Sequence, residues 1–204
     1  MSDRKAQIKN KAASLFKSKG YAATSMRQLA KAVGIEPASL YSHFKSKEAI
    51  LKAICFEMAE KFFDAHHRMV SVDKTPPNQL KEAIFAHILV ITENIDRAAV
   101  FFQDWRHLSG NDLQEFKVLQ KNYENRFLKI LKTGNLSQDF NAQDEKFCLL
   151  TIFSAMNWTF EWYKPNGQMN AEAIAANLSQ ILMGGLMKNT DVAEVLSANN
   201  LILE

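Results

Sequence analysis

The sequence predicts an all-α protein, with a small N-terminal helix-turn-helix unit of three helices and a larger helical body. Seven Gly and four Pro in 204 residues are too few to punctuate a turn-rich β-protein. Apolar residues recur with a 3.6-residue period along most of the chain. No strand-length alternation and no internal repeat interrupts that pattern. A hydrophobic share of 47% with 23% charged residues is ordinary for a globular protein long enough to bury a core.

The first helix is expected from about Asp3 to Lys19, with Ile8, Ala12, Leu15 and Phe16 on one stripe. Gly20 stops it, and Tyr21 follows. Ser25 and Gln28 then form the S-x-x-Q of a capping box, opening a helix over Met26 to Val33 that Gly34 ends. After an Ile35-Glu36 turn, Pro37 suits the first position of a third helix running to Phe44. Only Leu40 and Phe44 point inward there, which leaves Ala38, Ser39, Tyr41, Ser42 and His43 outward. Ser46 caps a fourth helix reaching about Val70, and VDKTPPNQ (72–79) breaks the pattern because prolines cannot continue a helix. Helices are expected again at about 78–94, 97–107, 112–132, 142–164 and 171–188, with N-caps at Asn111, Asn141 and Asn170 and a PNG turn at 165–167. The tail 191–204 reads as a last helix or as a loose end.

Charge is unevenly spread. Residues 1–50 carry ten Lys/Arg against three Asp/Glu, a balance of +7, and the remainder carries −4. A basic first quarter fits either a polyanion-binding surface or a Lys-rich solvated face. Cys55 and Cys148 lack metal-ligand spacing and suit a reducing compartment. The charged start has no leader-like apolar stretch, and AIFAHILVI (83–91) is too short to span a bilayer. A cytoplasmic protein without membrane contact, metal or cofactor is expected.

Two short helices joined by a Gly-containing turn, the second with a polar outer face, describe a helix-turn-helix whose second helix can enter a major groove. Small Ala38 and Ser39 let the backbone approach base edges, while Tyr41 and His43 reach the phosphates on either side. Lys47 and Arg27 lie in first turns of helices, where a cation opposes the helix dipole. A phosphate docked at each start relieves that conflict.

Residues 12–54, with LF-x-x-x-G-Y (15–21), T-S-x-R-x-L-A (24–30), V-G (33–34) and LY-x-HF-x-x-K-E (40–48), resemble the DNA-binding region of the TetR family of transcriptional regulators. The resemblance implies an all-helical dimer with a DNA-binding domain at 1–47 and a ligand-binding and dimerisation domain at 48–204. It implies base-reading positions at Glu36, Ala38 and Ser39, backbone contacts from Arg27, Tyr41, His43 and Lys47, and Pro37 within the same DNA-binding set. It further implies a homodimer on a near-palindromic operator, with recognition helices about 34 Å or a multiple apart.

In the C-terminal part, NAQDEKFCLLTIFSAMNWTFEWYK is apolar almost all round its middle, and Ile174, Leu178, Ile181 and Gly185 share helical spacing beside Gly184. These eighth and ninth helices suit a four-helix dimer interface, with a monomer core as the alternative. Phe62, Phe63, His66, His87, Phe102, Trp105, Arg106, Tyr123, Phe127, Phe153 and Asn157 are candidate ligand-binding residues, although each aromatic also suits plain core packing and His87 a satisfied buried histidine. NWT-x-x-WY-x-P-x-G (157–167) resembles an acyl-CoA-responsive TetR subgroup, which implies phosphate-binding cations such as Arg97, Arg106, Lys121 and Arg126. A small hydrophobic effector, leaning to an acyl-CoA thioester, is therefore expected to release operator DNA. The alternative is a lipophilic cation met by Glu57, Glu60, Glu93, Asp104 or Glu161. A helical enzyme is a remote alternative, since no phosphate loop, G-x-S-x-G or H-E-x-x-H is present.

Overall fold

The computed structural model describes residues 2–142 and 144–187. The expectations for residues 188 and 191–204 lie outside the described residues.

Helix α1 (Ser2–Lys19) buries Ile8, Ala12, Ala13 and Phe16, so its apolar stripe faces inward as the sequence pattern requires. Gly20 leaves it with φ +86°, and the Tyr21 ring packs edge-on against Phe16 at 5.0 Å. Helix α2 (Met26–Val33) opens on the expected capping box: Gln28 N donates to Ser25 Oγ at 3.3 Å, and Ser25 N donates to Gln28 Oε1 at 2.8 Å. Helix α3 (Pro37–His43) starts at Pro37 and buries Leu40. Helix α4 (Lys47–Met69), capped by Ser46, runs without a break for 23 residues, about 34 Å at 1.5 Å per residue.

The prolines at 76 and 77 open helix α5 (Pro76–Glu93) instead of merely separating two helices. An N–H is missing where the first turn has no carbonyl to give it, so proline costs nothing there. The expected 97–107 helix divides into α6 (Ile95–Gln103) and a 3-10 turn, Trp105–His107.

Helix α7 (Gly110–Leu136) is capped at Ser109, not Asn111. Glu48 accepts hydrogen bonds from Ser109 N (2.8 Å) and Oγ (2.7 Å) and fixes this earlier start. The helix also passes through Gly134, where a β-carbon would lie 2.2 Å from the Phe140 ring. Gly134 therefore admits an aromatic ring against the helix instead of ending it.

The expected 142–164 helix is two pieces, α8 (Glu145–Asn157) and α9 (Thr159–Trp162). Asp144 caps α8, because the side chain of Asn135 holds both N and O of Ala142 and keeps that residue outside the helix. Asn170 caps α10 (Ala171–Gly184) as expected. Among the described residues there is no strand, only an isolated bridge between Phe140 and Met187. No helix of the described residues is long and apolar enough to cross a membrane.

In this bundle α1 lies across α6, α2 and α4; α4 packs on α5, α6 and α7; and α10 covers α5. Helix α4 thus belongs to both the N-terminal unit and the body.

Candidate nucleic-acid interface and ligand cavity

On α3 the side chains of Pro37, Ala38, Ser39, Tyr41 and Ser42 are exposed, and His43 is half-buried. Ser42 Oγ donates to Ser39 O at 2.7 Å, which folds that hydroxyl back onto the helix. Glu36 is the N-cap residue but its side chain makes no capping bond, so the carboxylate is free at the start of the exposed face. Arg27 is exposed in the first turn of α2, which contains no acid. These side chains therefore stand on one small, largely acid-free surface whose back is pinned by Leu29, Leu40 and Phe44.

Lys47 is placed differently. Its ammonium donates to the carbonyls of Tyr21 (2.7 Å) and Ala22 (3.3 Å) and lies 4.3 Å from the centre of the Tyr21 ring. The dipole conflict that the sequence resolves with a docked phosphate is resolved here by backbone carbonyls of the α1–α2 turn. The Tyr21 ring also stacks on His107 at 4.7 Å, beyond the end of α6. Burial, then the Glu48 and Asp104 carboxylates, push the Tyr21 phenol up to about 12. Asp104 is itself raised by burial, against the opposing pull of His107 and Lys47. A second tie joins α1 to the body: Glu57 takes Lys9 and Arg97 (3.4 Å), Arg97 Nε donates to Asn10 Oδ1 at 3.0 Å, and Lys17 pairs with Asp96 at 3.1 Å. Glu57 is thus shared between two cations, and Arg97 is engaged with α1 and α4.

The body encloses a narrow cavity of about 70 Å³ between α4, α5, α6, α7 and α8. Phe62, Phe63, His87, Phe102, Tyr123, Phe153 and Asn157 line it, as anticipated, together with Ala59, Phe101, Leu119, Gln120 and Glu124. Inside it three polar groups form one chain. His87 Nδ1 is 3.2 Å from the Tyr123 hydroxyl, and His87 Nε2 is 2.9 Å from Asn157 Oδ1. With the amide oxygen toward the ring, Nε2–H donates to Asn157 and the Tyr123 O–H donates to Nδ1. The imidazole is therefore neutral, and burial holds its pKa down to about 3. The Tyr123 phenol is raised by burial and stays protonated.

The remaining candidates lie outside the cavity. Phe127 is fully buried behind it, edge-on to Phe153 at 4.9 Å, and serves as packing. Trp105 leans on Phe116, and the Arg106 guanidinium lies 4.7 Å over the Trp105 ring. His66 sits behind Tyr123 and faces a separate groove. Of the residues the sequence missed, Ala59 shares a stripe of α4 with Phe62, Phe63 and His66, and Leu119, Gln120 and Glu124 share one of α7 with Tyr123 and Phe127. Carrying helical spacing outward from the aromatics would have found them.

Beside the cavity, Gln120 and Glu124 also border an outer groove of about 440 Å³ with Lys117, Lys121 and Lys146. Several large apolar side chains face outward on α8, α9 and α10: Phe147 (69% exposed), Leu150, Trp158 (59%), Trp162 and Ile181 (72%). On α10, expected to face a second copy with a monomer core as the alternative, Ile174 is buried while Ile181 is exposed, and the space around Gly184 is open.

Residues 8–54 match the family model described as bacterial regulatory proteins, tetR family, and residues 73–186 match the one described as tetracyclin repressor-like, C-terminal domain. The chain is 25% identical over 190 residues to the HTH-type transcriptional repressor KstR2 of Mycolicibacterium smegmatis, covering 91% of this chain and 92% of that protein. The crystal structure of PfmR, a TetR family transcriptional regulator from Thermus thermophilus, is 31% identical and superposes with a TM-score of 0.79, covering 89% of this chain and 99% of that one. At 23% identity, AibR in complex with isovaleryl coenzyme A and operator DNA has the same fold, with a TM-score of 0.79 over 88% of this chain and 98% of that one. The chain belongs to the TetR family of transcriptional regulators, DNA-binding proteins and not enzymes.

Proposed function

We propose that the chain is a ligand-responsive repressor that binds a near-palindromic operator as a homodimer and is released by an acyl-CoA thioester. The DNA-binding domain comprises residues 1–47 and the ligand-binding and dimerisation domain residues 48–204, with α4 crossing between them. Ala38, Ser39, Pro37 and Glu36 face base edges, and Arg27, Tyr41 and His43 grip the backbone on either side. Lys47 is a strut holding the α1–α2 turn onto α4.

The observation that carries the effector reading is the aromatic cavity with a single internal polar chain. Asn157 spends its oxygen on His87, which leaves its Nδ2 donor for a ligand carbonyl. A cavity of about 70 Å³ is smaller than the several hundred cubic ångströms of a typical ligand site. An acyl chain must therefore spread α4, α6 and α7 to enter, and that spreading links binding to the N-terminal unit through the Tyr21–His107 stack. The CoA phosphates leave past Gln120 toward Lys117, Lys121 and Lys146. AibR, which shares this fold, is described with isovaleryl coenzyme A and operator DNA, in keeping with this class of ligand. Dimerisation uses the outward apolar faces of α8, α9 and α10, which correspond to the eighth and ninth helices expected from the sequence.

Glu124 at the cavity rim, 3.5 Å from Lys146 Nζ, favours a lipophilic cation instead. Thermal-shift measurements across acyl-CoAs and cationic dyes separate the two, because a ligand that binds only the folded state raises Tm. Stabilisation by acyl-CoAs, with loss of operator binding at the same concentrations, is expected. Stabilisation by dyes alone overturns the thioester reading.

A further inference from the structure

A groove of about 400 Å³ lies between the C-terminal end of α4, the α4–α5 link, the start of α5 and the second half of α7, and it shares no lining residue with the aromatic cavity. Arg126, Lys129, Ile130 and Thr133 follow i, i+3, i+4, i+7 spacing and so form one face of α7. Opposite them are His66, His67, Val70, Val72 and Gln79. No carboxylate lines the groove.

Neither Arg126, Lys129 nor His67 has an ion-pair partner among the described residues, although the chain pairs cations elsewhere. Arg126 lies 4.6 Å over the Phe63 ring and gives one long bond, 3.4 Å, to Phe63 O, which leaves its other N–H groups for the groove. His66 is only 8% exposed, yet its Nε2 has no hydrogen-bond partner. A buried polar atom without a partner is destabilising unless something fills the site.

We propose that this groove is a second ligand site, which binds an oxyanion (a phosphate or a carboxylate) through Arg126 and Lys129, with His66 Nε2 completing its coordination. Ile130 and Val70, with the exposed Val72 at the rim, offer apolar surface for a short hydrocarbon body on the anion. Because the site grips the far end of α4, an occupant ties α4 to α7. The proposal does not rest on the thioester reading, which concerns the aromatic cavity.

The test uses the full chain, titrated with sodium phosphate or sodium octanoate against sodium chloride of equal ionic strength. The readouts are histidine ring NMR shifts and Tm. A saturable shift of the His66 ring signal is expected with at least one probe, with affinity falling tenfold or more in Arg126→Gln. His66 starts with its pKa held down to about 4 by burial and by Arg126, so its pKa should rise on saturation. Saturation by phosphate alone assigns a small inorganic or phosphoryl ligand, and by octanoate alone an amphipathic acid. Linear responses indistinguishable from chloride, or equal affinity in the doubly substituted Arg126→Gln, Lys129→Gln protein, overturn the site.

Discussion

Replacing Lys47 by Met keeps the aliphatic stem and removes the charge, which separates a strut from a phosphate contact. The variant loses a short bond to Tyr21 O (2.7 Å) and a long one to Ala22 O (3.3 Å). Hydrogen bonds from a charged donor contribute about 2 kcal/mol, and the cation over the Tyr21 ring adds about 0.5 kcal/mol at a half-exposed site. Removing a cation from the first turn of α4 returns about 0.5 kcal/mol through the helix dipole. The net cost is about 2 kcal/mol, or roughly 4–8 °C in Tm for a chain of this length. Operator affinity measured between 50 and 200 mM salt should keep its slope, because no phosphate contact is lost; losing one lowers the slope by about 1. An unchanged Tm together with a shallower slope would refute the strut and restore Lys47 to the DNA surface.

Four further outcomes follow from the packing and the exposed faces. Tyr123→Phe leaves His87 Nδ1 without its donor and should lower the unfolding free energy by about 1–3 kcal/mol in urea titrations. His87 and His66 have folded pKa values of about 3 and about 4, below the unfolded value of about 6.5, so the unfolded chain takes up protons first. Stability is then complete above pH 6.5 and falls as pH drops toward 4, at about 1.4 kcal/mol per pH unit for His87 alone. Urea titrations at pH 7.5 and 5.5 should therefore show a smaller difference in His87→Gln than in the wild type. Gly134→Ala forces a β-carbon into the Phe140 ring and should cost about 1–3 kcal/mol by overpacking, whereas Ile181→Glu should leave the helical circular-dichroism spectrum intact and convert the proposed dimer to monomer in sedimentation equilibrium.

The N-terminal unit was legible almost residue by residue because its signals are local. A capping box at Ser25 and Gln28, a glycine stop at Gly34 and a proline start at Pro37 each act within one turn of chain. The later boundaries depend on distant partners that no window of sequence contains. Glu48 sets the cap at Ser109, Asn135 keeps Ala142 out of α8, and Phe140 explains a glycine inside α7. The cavity shows the same division. Aromatic density identified Phe62, Phe102, Tyr123 and Phe153, but which side of Tyr123 each neighbour occupies is a tertiary fact. Helical spacing alone thus groups His66 and Trp105 with a cavity they do not line, and it does not reveal that Arg97 pairs with Glu57. Lys47 was recognised as an electrostatic anomaly, and the group that resolves it lies 26 positions earlier at Tyr21.

Selection of duplexes from a randomised library by the full-length chain tests α3 as the DNA probe most directly. Wild-type protein should enrich a near-palindromic site with half-sites about one helical turn or a multiple apart, with affinity that falls steeply as salt rises. Protein carrying Arg27→Ala and Tyr41→Ala, both exposed substitutions that leave the core untouched, should lose that enrichment while keeping its Tm. Equal enrichment by the two proteins would contradict the assignment of this surface to DNA.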